Sequence, residues 1–154
     1  MPAQVHVRDS HAFFESFTSV MRRIRAVAAQ AYATLEIGTA QAKILRHIGR
    51  NSRISQADLA RATDTAPTLT GRAVEPLVER GWVRRKRSDE DRRQYVLELT
   101  AAGQRMRERV EAAREGMIAR IAAVLDEKDV EDFERIAGKL LAALEDRSGT
   151  APDD

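Results

Sequence analysis

Ten consecutive residues concentrate the chemistry of this chain. Residues 84–93, RRKRSDEDRR, hold six basic and three acidic side chains. Arginine and lysine in that number suit contacts to the phosphates of a nucleic acid. A segment built only to grip a polyanion would omit the acids, and a solvated loop has little use for so many guanidiniums. The order of the charges therefore needs elements on either side that give each one a place.

Other chemistries find little support. The chain has no cysteine, so it has no disulfide, thiolate metal site or thiol switch. His6, His11 and His47 lack metal-ligand spacing with one another or with a carboxylate cluster. No phosphate-cradling glycine loop and no nucleophile–base pair is recognisable, so neither catalysis nor a cofactor or metal is expected. No run approaches the roughly 20 apolar residues that would span a bilayer, and MPAQVHVRDS lacks a signal peptide's apolar stretch. A cytoplasmic location is the expectation, with no membrane partner.

The 154 residues are enough for one domain with a core, and 43% apolar with 32% charged residues describes a globular chain. Net charge is only +2, yet it is unevenly spread. Residues 1–40 carry four bases and three acids, residues 41–99 thirteen and eight, and residues 100–154 nine and thirteen. The positive charge sits in the middle, around the opening segment. Such asymmetry points to a nucleic-acid face flanked by parts with another task.

Hydrophobic periodicity supplies the elements. Phe13, Phe17, Val20, Ile24, Val27 and Ala31 recur at helical spacing, with Phe14, Met21, Ala28 and Leu35 in a second row beside them. Gly38 is expected to end this helix and Thr39 to cap a second one, which faces inward with Ile44, Leu45 and Ile48. Ser55 with Asp58 reads as a capping box opening a short helix. Thr65 is expected to cap the next helix, with Pro67 in its first turn, an inward face of Val74, Leu77 and Val78, and Gly81 past its end. Pro76 should bend its last turn.

After Gly81 the pattern alternates. Trp82–Lys86 and Gln94–Leu99 read as strands, the second with Tyr95, Leu97 and Leu99 on one face, joined by the turn-forming SDEDRR. Thr100 caps a helix carrying Met106, Val110, Ala113, Met117, Ile121 and Val124. Asp126 with Asp129 opens a last helix with Val130, Phe133, Ala137, Leu140 and Leu144 on one face, and residues 147–154 read as a disordered tail. The result is mainly α with a small β-wing. Residues 39–99 form a helix-turn-helix followed by a hairpin, an arrangement suited to the major groove of DNA.

At this point the chain resembles the MarR family of bacterial transcription regulators, over about His11 to Leu144. The family's wing pattern is Asp-x-Arg, three residues, an aliphatic, one residue, then Leu-Thr-x-x-Gly. Asp91, Arg93, Leu97, Leu99, Thr100 and Gly103 match it in order. SQADLARA at 55–62 and LVERGWV at 77–83 match the start of the short helix and the end of the recognition helix. PTLTGR departs from the Ser-Thr pair more common among relatives, and Gly71 costs that helix about 1 kcal/mol relative to alanine.

The resemblance implies a single domain over 1–154, with residues 39–99 as a winged helix-turn-helix lobe. The helices of 11–38 and 100–146 would form a dimerisation lobe. It implies a homodimeric DNA-binding regulator, in most relatives a repressor of a palindromic operator released by a small aromatic or phenolic effector. Arg93 would enter the minor groove, with Asp91 as its orienter; prearranging a flexible arginine reduces the entropy it loses on binding. Arg84, Arg85, Lys86, Arg87 and Arg92 would meet phosphates. Thr68, Thr70 and Arg72 would face the bases from the recognition helix, and Ser55 and Gln56 would join from the short helix before it. His11, Arg46 and Met117 are candidates for the effector site. The alternative is a winged helix that binds protein or RNA without recognising an operator.

Overall fold

A computed structural model describes residues 7–145, with side chains from residue 9 onward. The expectations for His6 and for a tail at 147–154 lie outside the described residues. Two compact units are present, one running to Met117 and one beginning at Ile118.

The first unit opens with α1 (Val7–Ala33) and α2 (Thr39–Arg50). The first helix ends five residues before Gly38, because Glu36 takes the left-handed backbone at φ 55° and Ile37 turns into the core. Gly38, not Thr39, is the N-cap of α2; its N–H donates to the Gln41 side chain at 3.2 Å. Then come β1 (Ile54–Ser55), α3 (Gln56–Ala62) and α4 (Pro67–Glu79). Ser55 caps α3 as expected, its hydroxyl accepting the Asp58 N–H at 3.0 Å. Thr65 does not cap α4. Its hydroxyl turns back to the Thr63 carbonyl, and Ala66 takes the cap position ahead of Pro67. Pro67 has no N–H to satisfy, so this start needs one cap bond fewer. Pro76 lies inside the helix, which nevertheless continues to Glu79.

The hairpin follows as β2 (Val83–Arg87) and β3 (Tyr95–Leu99), antiparallel with Val83 opposite Leu99 and Arg87 opposite Tyr95. Its sheet has a third strand that the alternating pattern did not reveal. β1 pairs with the far edge of β3, Ile54 opposite Leu97, giving the order β1-β3-β2. Two residues are too short for periodicity to register. Both Val96 and Leu97 are buried, although adjacent residues of a strand point to opposite faces.

Leu45, Ile48, Leu59, Val74, Leu77, Val83, Leu97 and Val110 are the largest fully buried apolar side chains of this unit. They come from α2, α3, α4, the sheet and α5 (Ala101–Ala122). Tyr32 and Ala28 add the end of α1. Thr100 starts α5 by accepting the Gly103 N–H at 3.0 Å. Beyond this core, α1 leaves Phe13, Phe14, Val20 and Met21 exposed, with the Phe13 and Phe17 rings stacked 6.2 Å apart.

In the second unit α6 (Glu127–Glu145) opens with a reciprocal cap. Asp126 accepts the Asp129 N–H at 2.8 Å and Asp129 accepts the Asp126 N–H at 3.1 Å. No residue of α6 is buried, and Phe133 is 62% exposed on it. Among the described residues no helix is long and apolar enough to cross a membrane.

Candidate nucleic-acid interface

The inward face of α4 is fixed by Thr70, Val74 and Leu77 at helical spacing, all fully buried. At 100° per residue the opposite face carries Thr68, Arg72, Glu75 and Glu79, all exposed. Thr68 and Arg72 thus stand on the solvent face of the helix. Thr70 does not. It is 0% exposed, and its hydroxyl donates to the Ala66 carbonyl one turn back at 3.2 Å, so it cannot reach a base edge. A threonine can enter a core when its hydroxyl bonds within the helix; the family resemblance had implied an outward place for it beside Thr68 and Arg72.

Gly71 has a packing role. A Cβ there would lie 3.1 Å from the Gln56 amide nitrogen, so the glycine leaves room for the end of that side chain. Gln56 is thereby set beside α4. Ser55 spends its hydroxyl on capping, accepting from the Asp58 backbone and donating to the Asp58 carboxylate at 2.7 Å. Arg61 on the next turn pairs with the other oxygen of Asp58.

The arginines of residues 84–87 divide into different settings. Arg84 pairs with Glu98 directly across the hairpin at 3.0 Å, and Arg85 pairs with Glu75 of α4 at 2.7 Å. Arg87 lies over the Tyr95 ring at 5.1 Å and donates to the Arg92 carbonyl at 2.6 Å. Among the described residues no ion pair engages Lys86, Arg92 or Arg93, and all three are exposed. These three, with Arg87 held only by a ring and a carbonyl, have no carboxylate to leave. Arg84 and Arg85 must first leave carboxylates.

The wing tip corrects the role expected of Asp91. Its carboxylate accepts the backbone N–H of Arg93 at 3.0 Å, and its carbonyl accepts the Gln94 N–H at 2.9 Å. Asp91 thus shapes the turn from which Arg93 projects; among the described residues it pairs with no arginine side chain. The acid that does is Asp89, read from sequence as a turn former only. It pairs with Arg53 at 2.7 Å, and Arg53 also donates to Glu98 at 3.2 Å. Arg53, Glu75 and Glu98 were not singled out by sequence. The facing of Glu98 against the basic strand was the one available signal, and it depends on the hairpin register.

Glu98 therefore sits between two guanidiniums. Partial burial raises its pKa, but hydrogen bonds from Arg53 and Arg84 outweigh that and bring it below the ordinary glutamate value. Arg53 is raised in turn, first by its bond to Glu98. A lowered folded-state pKa means stability that is present above the ordinary glutamate range and lost as pH falls through the folded value. Glu98→Gln should therefore flatten the acid limb of a stability-against-pH curve. An unchanged limb in urea unfolding between about pH 3 and pH 7 would rule out this network as a contributor. His47 acts in a separate, higher window. Burial first, then Lys43, Arg46 and Arg50, lower its pKa, so its contribution is lost from about pH 6.5 downward.

The three effector-site candidates occupy three different settings. Arg46 is largely covered and donates to Glu111 at 3.1 Å. Met117 packs against the core, and His11 is exposed on α1.

Comparison with known proteins bears on this geometry. Residues 35–94 match the model of the MarR family. The transcriptional repressor MprA of Escherichia coli (strain K12) is 30% identical over 95 residues, 62% of this chain and 54% of that protein. The match thus spans about half the length of the curated relative. The S. aureus MepR–DNA complex superposes with a TM-score of 0.78 at 18% identity, covering 85% of this chain and 97% of that one. A mutant MarR from E. coli complexed with operator DNA gives 0.77 at 20% identity, covering 90% and 99%. Likeness at that level of identity establishes the fold.

Proposed function

We propose that this chain, whose residues 35–94 match the model of the MarR family, is a transcriptional regulator that binds a palindromic duplex operator as a homodimer. The observation that carries this reading is the joint presentation of two surfaces. Thr68 and Arg72 face outward from α4, and Lys86, Arg92 and Arg93, without ion pairs among the described residues, lie exposed on the wing. A helix face of that kind suits the major groove, and a flexible arginine suits the narrower minor groove next to it.

Dimerisation follows from exposure. Phe13, Phe14, Val20 and Met21 on α1, and Phe133, Leu141 and Leu144 on α6, are left in water by the single chain. Burying a large apolar side chain is worth about 1.5–3 kcal/mol, so a second copy gains much by covering such rows. The helices of 7–33 and 101–145 are then the dimerisation lobe, and residues 39–99 the reading lobe. Repression, the commonest mode among relatives, and release by a small aromatic or phenolic acid complete the proposal. Such a ligand lowers DNA affinity only by preferring one spacing of the two reading lobes. At the candidate site its carboxylate would replace Glu111 at Arg46, with Met117 and His11 as trial contacts.

Footprinting on a duplex selected from a randomised library tests the reading directly. Protection of two half-sites with centres about 10 bp apart is the expected result. Sedimentation should show a dimer at micromolar concentration. A folded monomer in that range, or protection of one asymmetric site, would contradict it; equal binding to single-stranded RNA would favour the RNA-binding alternative.

A further inference from the structure

We propose that Leu69 selects thymine, by seating its side chain against the 5-methyl group in the major groove. The inference rests on the duplex-binding reading above and adds a specificity-determining residue to it. Leu69 and Thr70 are neighbours on α4 whose burial is the reverse of their polarity. Thr70 is 0% exposed and Leu69 is 54% exposed. The helix cannot turn to correct this, because Val74 and Leu77 share the buried face with Thr70. The Thr70 hydroxyl is satisfied at the Ala66 carbonyl, so its burial is tolerated, whereas more than half of the leucine is left in solvent.

Isolated exposed leucines are ordinary on protein surfaces. Position distinguishes this one. Leu69 lies in the first turn of the helix, next to Thr68 and one turn from Arg72, and it is the N-terminal residues of a recognition helix that meet base edges. Between residues 39 and 99 the exposed large apolar side chains are Leu69 and Tyr95, and Tyr95 lies under the Arg87 guanidinium. Leu69 is thus the one such side chain of the reading lobe, among the described residues, without a partner. In the major groove, guanine, adenine and cytosine show only donors and acceptors, while thymine adds a methyl group. An aliphatic side chain discriminates in favour of that methyl because it offers a polar edge no hydrogen bond.

The test is a cycle between protein and base. A duplex is selected from a randomised library with the full chain, and each thymine in it is replaced in turn by deoxyuridine, which lacks only the methyl. At one thymine per half-site the replacement should weaken binding by the native chain about fourfold, the worth of one buried methyl. It should leave binding by Leu69→Ala unchanged, and Leu69→Ala should itself bind the thymine duplex more weakly. Leu69 is exposed, so this variant keeps its core, and unchanged thermal unfolding verifies it. Equal losses in both proteins at every thymine, or a selected consensus without thymine, would overturn the role of Leu69 alone. Failure to enrich any duplex would overturn the duplex reading and this inference together.

Discussion

Gly103→Ala is expected to cost the folded chain about 3 kcal/mol or more, and to shift its urea midpoint accordingly. Gly103 is buried in the first turn of α5, and a Cβ there would overlap the Trp82 carbonyl oxygen. That carbonyl accepts the Thr100 N–H at 3.0 Å, and the Thr100 hydroxyl donates to the Gly81 carbonyl. The start of α5 is thus tied to the start of β2 by backbone groups, which cannot step aside as a side-chain end can. Separation of the two breaks these bonds and opens the core beneath Val83 and Met106. The same substitution at Gly116, in the same helix, meets no atom within 4 Å. Gly116→Ala should stabilise by up to about 1 kcal/mol through helix propensity alone. Opposite signs within one helix separate close approach from propensity, and a Gly103→Ala chain as stable as the parent would refute the packing.

Arg93→Ala is expected to weaken binding to the selected duplex roughly ten- to a hundredfold, and to reduce the salt slope by about one unit. Arg93 is exposed and has no ion-pair partner among the described residues, so its charge is available to DNA. Asp91 provides the sharper experiment. Both Asp91→Ala and Asp91→Asn remove a negative charge near a polyanion, and simple electrostatics predicts tighter binding for both. The structure instead predicts a split. Asparagine keeps a side-chain oxygen able to accept the Arg93 N–H and should bind as well as the parent or better; alanine loses that bond and frees the wing tip. A loss of about two- to tenfold is expected for alanine, matching one net hydrogen bond. Fluorescence titrations at two salt concentrations decide the matter. Tighter binding by Asp91→Ala would end the turn-shaping role, and equal weakening by Asp91→Asn would return that role to the charge.

What the amino-acid sequence determined by itself was everything whose cause lies within about four residues. Helical periodicity located the six helices, because apolar side chains three and four positions apart share a face wherever the helix packs. The caps at Ser55, Thr100 and Asp126 were legible because each bonds an N–H three positions on. The hairpin and its polar tip were legible from alternation and turn formers, and the ordered matches around Asp91, Arg93 and Gly103 pointed to the family. The same local logic failed where two neighbouring residues competed for one cap, or where the buried face of a helix overrode polarity. Thr39 and Thr65 are good capping residues, but the chain enters those helices through Gly38 and Ala66. Thr70 is polar, but Val74 and Leu77 carry it into the core.

Tertiary structure alone decided which of the six cations in residues 84–93 are free. The pair Arg85–Glu75 depends on how β2 lies across α4, and Arg53–Glu98 spans 45 positions through a two-residue strand. Whether an arginine meets a carboxylate is set by strand register and helix packing. A shift of one residue in the hairpin would turn Glu98 to the other face and exchange the paired and unpaired sets. Composition counts those charges, but only the packed sheet assigns their partners.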